Sequence, residues 1–201
     1  MENATVNRFA MNMLRKRQTL WVELALMVGL IVVSVAGRVY PHPANFTPIA
    51  AAALFAGYML RSRWQALLVP AMAVLISNYF EEAVDLRVAI AVGIGLSFPV
   101  LLRGLLGENW NVPRVIGCSL LSSVGFFLIS NGAVWAFSPI YTHDLMGVVA
   151  CFEASLPFFR NTLAGDLTYN AVFFGLYALM MLWQSSGTGR MVPVPVRVPR
   201  R

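Results

Sequence analysis

Charged residues are scarce in this sequence. Of the 201 residues only 12% are Asp, Glu, Lys or Arg, whereas 58% are hydrophobic. A typical globular domain has about 25% charged residues, so this chain cannot cover a water-facing surface, and a soluble globular enzyme is excluded. The high hydrophobicity also excludes intrinsic disorder, which requires few apolar residues. The composition predicts a chain whose solvent is a lipid bilayer.

Cysteines, metal-ligand clusters and catalytic motifs are also few. Two cysteines, Cys118 and Cys151, do not make a disulfide framework; we place the first in an apolar span and the second in a loop. The sequence contains no zinc-type spacing, hydrolase elbow, P-loop or kinase signature. The histidines, His42 and His143, are expected to be solvated loop residues. We predict no enzymatic activity, no metal and no cofactor.

Long apolar segments dominate the chain between residues 20 and 183. They are Leu20 to Ala36, Thr47 to Leu60, Trp64 to Phe80, Leu86 to Leu106, Val115 to Phe137 and Leu163 to Trp183. About 20 helical residues cross the roughly 30 Å hydrocarbon core. The second segment is shorter and must be enclosed by other helices. The sequence predicts an all-α membrane protein, a compact bundle of six transmembrane helices of which the second is short.

The segments divide the chain into three parts. We predict a basic cytoplasmic segment at 1–19, a transmembrane domain at 20–183 and a disordered basic cytoplasmic tail at 184–201, where Val, Pro and Arg alternate. Before the last span, Asp144 to Leu156 is interpreted as an interfacial helix that Pro157 ends. A cleaved signal peptide is the alternative for the first segment, because Ser34-Val-Ala36 resembles a cleavage site.

Basic residues are distributed unevenly between the two sides of the predicted bundle. With six crossings, 12 of the 15 Lys and Arg residues fall on the side of both termini, and only Arg38, Arg87 and Arg160 fall on the other. Cytoplasmic loops collect Lys and Arg. The count predicts that both termini are cytoplasmic, in a multi-pass protein of the inner (cytoplasmic) membrane. Because the basic residues accompany apolar spans, we predict no nucleic-acid partner.

Polar and aromatic side chains gather toward the predicted outer side. Amides supply neutral hydrogen-bonding groups, aromatic rings stack, and a carboxylate or guanidinium sets charge, a chemistry that suits a small, partly polar ligand. The candidate substrate-binding residues are Asn45, Phe46, Asn78, Asn131, Trp135, Arg160, Asn161 and Asp166. The alternative is that these groups only join helices by hydrogen bonds. Asp166 is expected to pair with Arg160 or to complement a helix N-terminus.

Two stretches resemble a family of uncharacterised small bacterial integral membrane proteins. They are Pro43-Ala-Asn-Phe-Thr-Pro-Ile-Ala-Ala-Ala-Ala-Leu-Phe-Ala-Gly57 and Leu156-Pro-Phe-Phe-Arg-Asn-Thr-Leu-Ala-Gly-Asp-Leu-Thr-Tyr-Asn-Ala-Val-Phe-Phe-Gly175. That family is similar to the substrate-binding S components of energy-coupling-factor (ECF) vitamin transporters. The resemblance implies a six-helix protein that captures a vitamin-like micronutrient from outside. It also implies a partner transmembrane subunit with two ATPases.

The partner surface of such proteins uses small residues four positions apart. In this chain Ala25 and Gly29, and Ala52 and Ala56, have that spacing, so we predict that they pack against partner helices. The sequence thus favours a non-catalytic protein that binds a small molecule for uptake. The alternative is a structural or assembly protein of the membrane without a small-molecule ligand.

Overall fold

A computed structural model describes residues 2–80 and 85–186, with side chains from residue 20 onward. These residues form helices and no strand. The elements are α1 (Glu2–Val39), α2 (Ile49–Met59), α3 (Arg63–Asn78), α4 (Leu86–Ser97), the 3₁₀ helix η1 (Phe98–Leu102), α5 (Arg103–Leu106), α6 (Val112–Phe137) and α7 (Leu145–Ser185). The all-helical prediction is confirmed. The predicted tail lies outside the described residues from 187 onward.

Within residues 2–80 and 85–186, three segments are long and apolar enough to cross a membrane. They are Leu20–Val39, Leu86–Leu106 and Val112–Phe137. Helix α2 is apolar but has only 11 residues, and α3 has 16. Helix α7 has 41 residues and is about 60 Å long, but polar side chains interrupt its apolar stretch. Length and composition therefore indicate a membrane protein with three clear candidate spans.

Helix α2 lies at the centre of the bundle. All of its residues except Tyr58 are buried, and it contacts α1, α3, α4, α6, α7, η1 and α5. Its small side chains allow this close approach: the Cβ of an alanine at Gly57 would lie 3.1 Å from the backbone oxygen of Val100 in η1. The prediction that the short second helix is enclosed by others is confirmed.

At two prolines the observed helices differ from those predicted from the sequence. Near Pro99 the fourth apolar segment tightens from an α-helix into η1, since proline lacks the N–H that continues the α-helical bonding. Pro157 does not end a helix: it lies inside α7, which runs unbroken from Leu145 to Ser185. Membrane helices tolerate proline where neighbouring helices compensate. Cys151 accordingly lies in a helix rather than a loop, and it is fully buried.

Helix α1 also extends further than predicted. It begins at Glu2, so residues 2–19 of the predicted basic segment and the first apolar segment belong to one helix. Near the junction the buried carboxylate of Glu23 pairs with Arg61, 3.3 Å away in the turn between α2 and α3. The backbone oxygen of Arg61 also accepts a long hydrogen bond, 3.5 Å, from Arg103. Arg61 and Arg103 therefore lie at the same end of the bundle as Glu23.

Candidate functional site

A polar cavity of about 270 Å³ lies among α1, α2, α4, α6, α7 and the loop that joins α1 to α2. It combines two charged side chains with neutral hydrogen-bonding groups and apolar walls. The lining residues are Arg38, His42, Ala44, Asn45, Thr47, Ala50, Val92, Leu96, Phe126, Thr162 and Asp166. We call this space the polar cavity. Its chemistry suits a small molecule that has both polar and apolar parts.

The loop of residues 40–48, here called the 40–48 loop, covers the polar cavity. His42, Ala44, Asn45 and Thr47 contribute to the lining. Asn45 adopts a left-handed backbone conformation with φ of 65°, which Asn tolerates better than most residues. The prolines of this loop restrict its backbone on either side of Asn45. The loop thus holds three polar side chains, those of His42, Asn45 and Thr47, over the cavity.

Contacts with α7 fix the 40–48 loop in place. The side-chain amide of Asn161 donates a 3.0 Å hydrogen bond to the backbone oxygen of Ala44, and the rings of Phe46 and Tyr169 lie 5.5 Å apart. Gly165 lets the loop backbone approach α7, because a Cβ there would lie 3.3 Å from the Cα of Phe46. Asn161 and Phe46, both predicted substrate contacts, therefore position the loop rather than line the polar cavity.

A row of buried polar groups joins α6 to α7. The hydroxyl of Ser123 donates a 2.7 Å hydrogen bond to the carboxylate of Asp166, and the amide of Asn170 donates a 2.9 Å bond to the hydroxyl of Ser119. Asp166 and Asn170 are 2% and 1% exposed. We call these four residues the α6–α7 polar seam. Because the bonded residue numbers rise along α7 as they fall along α6, the two helices run antiparallel. Asp166 is at once part of this seam and part of the cavity wall.

Arg160 does not meet Asp166. The two residues are six positions apart on α7, about 240° around the helix axis, and Arg160 is exposed whereas Asp166 is buried. The contact that the structure gives Asp166 is the hydroxyl of Ser123. The expected pairing of Arg160 with Asp166 is therefore not present, and Arg160 lies outside the polar cavity.

Asn131 lies beside the polar cavity. It lines a neighbouring space of about 50 Å³ that shares Asn45, Phe126 and Thr162 with the polar cavity. Its side-chain oxygen accepts a 2.6 Å hydrogen bond from Ser155 of α7, and its amide donates to Phe127. Both polar ends of Asn131 are thus used within the protein. The space beside it is sized for a water molecule rather than for a ligand.

Trp135 and Asn78 lie further away. Trp135 donates a 3.0 Å hydrogen bond to the backbone oxygen of Thr142, and its ring lies 5.8 Å from that of His143. Asp144 caps α7 by accepting a bond from Gly147, which lowers the pKa of its carboxyl. Asn78 is exposed at the end of α3, on an open apolar groove between α3 and α4. The structure therefore does not bring these two predicted contacts to the polar cavity.

One of the two predicted partner-packing pairs is not available to a partner. Ala52 and Ala56 are fully buried in the core of this chain, since α2 is surrounded on all sides. They allow α2 to pack closely inside the bundle. Ala25 and Gly29 are exposed on α1, and a Cβ at Gly29 would meet no atom within 4 Å. Only the α1 pair remains accessible as a packing surface.

Sequence reasoning missed several cavity residues. In the sequence Arg38 is one of three basic residues on the predicted outer side, and its position in the last turn of α1 brings it to the cavity wall. Thr162 lies one helical turn from Asp166, a spacing that places both on one face of α7. That spacing was the available signal for Thr162. Phe126 also lines the cavity, and in the sequence nothing distinguishes it from the other residues of its apolar segment.

The described residues contain no group of three or more His, Cys, Asp or Glu side chains that could hold a metal ion. His42 donates a 2.7 Å hydrogen bond through Nδ1–H to the backbone oxygen of Tyr40, so one ring nitrogen is already engaged. Cys118 and Cys151 are both free and buried. Hydrogen bonding and charge are therefore the chemistry that the polar cavity offers.

Comparison with known proteins places the chain in a family but does not give an activity. No curated protein and no solved structure matches the chain. A model of a family of unknown function, DUF6580, matches residues 18–188. This match covers every element from the apolar part of α1 to the end of α7, including all residues of the polar cavity. The chain belongs to DUF6580, a family of unknown function.

Proposed function

We propose that this protein binds a compact, partly polar micronutrient in the polar cavity, from the outer side of the bacterial inner membrane, and takes part in its uptake. The observation that carries the proposal is the polar cavity itself. It is a space of about 270 Å³ that contains a carboxylate, a guanidinium and neutral hydrogen-bonding groups under a fixed loop. Polar and ionisable groups within membrane helices are costly and mark binding sites by default.

The size of the cavity limits the ligand. Pockets for drug-sized ligands measure roughly 300–1,000 Å³, and this cavity of about 270 Å³ lies just below that range. The ligand is accordingly a small metabolite in the conformation described, not a large cofactor with a macrocycle. Phe126, Val92 and Leu96 offer it apolar contact, while Asn45, Thr47 and Thr162 offer hydrogen bonds.

The proposal includes six crossings with both termini in the cytoplasm. Three helices supply clear spans. The enclosed α2, the 16-residue α3 and the central part of α7 supply the others, because each packs against the clear spans: α2 and α3 against α1, and α7 against α6. The α6–α7 polar seam supports the sixth crossing, since α7 returns antiparallel to α6. With this topology the polar cavity opens outward.

Uptake requires an energy source that this chain does not contain. The similarity to ECF S components leads us to propose a partner transmembrane subunit with two ATPases. The exposed pair Ala25 and Gly29 on α1 provides a surface on which a partner helix approaches closely. No nucleic acid and no catalytic step belongs to this proposal.

Capture of a ligand by the purified protein tests the proposal. The protein in mild detergent is incubated with a small-molecule extract of the host cells, washed, denatured and analysed by mass spectrometry. We expect at least one metabolite to be enriched on the wild-type protein and lost from Asn45→Ala and Thr162→Val variants. Glu153→Gln, an exposed change on the same helix, is the matched control and retains it. If no metabolite is enriched on well-folded protein, the proposal fails.

A structural role without a ligand is the second candidate, and the α6–α7 polar seam favours it, because these buried bonds join two helices. Alanine substitutions separate the two roles. In a binding protein, Asn45→Ala lowers metabolite capture and leaves the folded yield unchanged. In a structural protein no variant captures a metabolite, and changes at the seam lower only the folded yield. Reporter proteins fused to the N-terminus and to the C-terminus test the predicted topology. A reporter at either terminus that is active outside the cytoplasm would contradict it.

A further inference from the structure

The polar cavity carries one basic and one acidic side chain on different elements. Arg38 comes from the last turn of α1 and Asp166 from α7, and both line the same space. Asp166 is the deeper of the two, because it is 2% exposed and is bonded to Ser123 near the middle of α6. Arg38 is half-buried beside the 40–48 loop. The cavity is thus basic toward its mouth and acidic toward its floor.

The acidic end has a neutral partner. Ser123 donates a 2.7 Å hydrogen bond to the carboxylate of Asp166. The ion pairs within residues 20–80 and 85–186 join Glu23 to Arg61 and Asp85 to Arg87, so neither of them includes Asp166. A carboxylate enclosed away from water is stabilised by a cationic group or by a proton. A ligand that brings a protonated amine would supply the missing positive charge.

The basic end suits a carboxylate. A guanidinium stays protonated and presents five N–H donors in a planar fork that matches carboxylate geometry. Arg38 already has an interaction partner within the protein. Because its guanidinium has five N–H donors, it can bind a ligand carboxylate in addition to that partner. Between the two ends, Val92, Leu96 and Phe126 provide an apolar wall. The cavity therefore matches a molecule with opposite charges at its ends and an apolar part between them.

We propose that the ligand of the polar cavity is a compact zwitterion, with its carboxylate at Arg38 and its protonated amine at Asp166. This inference rests on the proposed function and names the class of its ligand. A simple anion would place its charge in the same cavity as the Asp166 carboxylate, and a simple cation would place its charge beside Arg38. Like charges in a poorly solvated space repel strongly, so both bind more weakly than the zwitterion.

The charge class of captured metabolites gives the first test. In the capture experiment, the enriched compounds are sorted by whether they carry both an amine and an acid. Enrichment of amphoteric compounds supports the inference. Enrichment of compounds with one kind of charge, or none, overturns it while the proposed function stands. If nothing is enriched, both fail, so the two failures are distinguishable.

Three isosteric probes give the second test. 5-Aminopentanoate is a zwitterion, hexanoate replaces its ammonium by a methyl group, and 5-methylhexylamine replaces its carboxylate by an isopropyl group. Each probe is titrated into the wild-type protein, with thermal stabilisation or calorimetry as the readout. Since each charged end of the zwitterion forms hydrogen bonds to an opposite charge, we expect the zwitterion to bind at least about tenfold more tightly than either isostere. Equal binding of hexanoate would overturn the inference.

Two variants, each of which removes one charge from the cavity, test which end of the ligand lies at Asp166 and which lies at Arg38. Asp166→Asn keeps an oxygen that accepts from Ser123, so the seam is preserved. It should lower affinity for 5-aminopentanoate about tenfold and leave hexanoate at least as tightly bound. Arg38→Gln should weaken both carboxylates and spare 5-methylhexylamine. Glu153→Gln and Arg63→Gln, exposed positions outside the cavity, are the matched controls. A uniform loss for all three probes in either variant would contradict the assignment.

Discussion

Two glycines on α7 allow a controlled test of how the 40–48 loop is held. A Cβ at Gly165 would lie 3.3 Å from the Cα of Phe46 and 3.4 Å from the backbone nitrogen of Thr47, whereas a Cβ at Gly175 would meet no atom within 4 Å. Leucine at either position brings the same gain in helix propensity, about 0.8 kcal/mol. Only Gly165→Leu adds carbon atoms where loop backbone already lies.

The difference between the two variants measures the loop contact. Overpacking costs typically 1–3 kcal/mol, and the common propensity term cancels when Gly165→Leu is compared with Gly175→Leu. One kcal/mol corresponds to about 2–4 °C in a protein of 150–250 residues, so Gly165→Leu should unfold roughly 2–12 °C below Gly175→Leu. The displaced loop carries Asn45 and Thr47, so ligand capture should fall as well.

Thermal unfolding in detergent, followed by intrinsic tryptophan fluorescence, gives the comparison. Capture of metabolites by each variant is measured on the same preparations at a temperature well below both transitions. Equal unfolding temperatures for the two variants would refute the close approach of the loop to α7. A lower unfolding temperature with unchanged capture would show that the loop position is not needed for binding.

Three further predictions concern other contacts. Ser123→Ala removes the donor to Asp166 and should cost about 0.6–1.7 kcal/mol of unfolding free energy; no loss in thermal unfolding would contradict the seam. Arg61→Gln should destabilise more than Glu23→Gln, because it leaves a buried carboxylate unpaired, and the double variant should recover part of the loss; additive losses would argue against the pair. Bonds from Arg87 lower the pKa of Asp85 to about 2, so its stabilisation is complete above about pH 4 and lost toward pH 2. Asp85→Asn should flatten that pH dependence in acid unfolding, and an unchanged profile would contradict it.

Much of the fold was predictable because it follows from composition along the chain. Runs of apolar residues mark helices, and the shortness of α2 required other helices around it. The continuity of α7 through Pro157 was not predictable in the same way. Pro157 removes one hydrogen bond, and whether a helix continues through it depends on neighbouring helices that a sequence does not display.

The site was predictable only in part, for a related reason. Asn45 and Asp166 reach the polar cavity, whereas Trp135 and Arg160 lie outside it. A polar residue near the predicted outer side is a candidate by position, but the direction of its side chain depends on which helix face is packed. Arg38 shows the converse: it looks like an ordinary loop charge in the sequence, and the packing of α1 makes it part of the cavity wall.

The shortness and full enclosure of α2 have a consequence for how the chain enters the membrane. Eleven residues extend about 16 Å, half of the hydrocarbon thickness, so this helix has no stable position alone among lipid tails. We therefore expect its insertion to depend on the neighbouring helices α1 and α3, which pack against it. Variants that disrupt α1 or α3 are accordingly expected to lower the insertion of α2 as well.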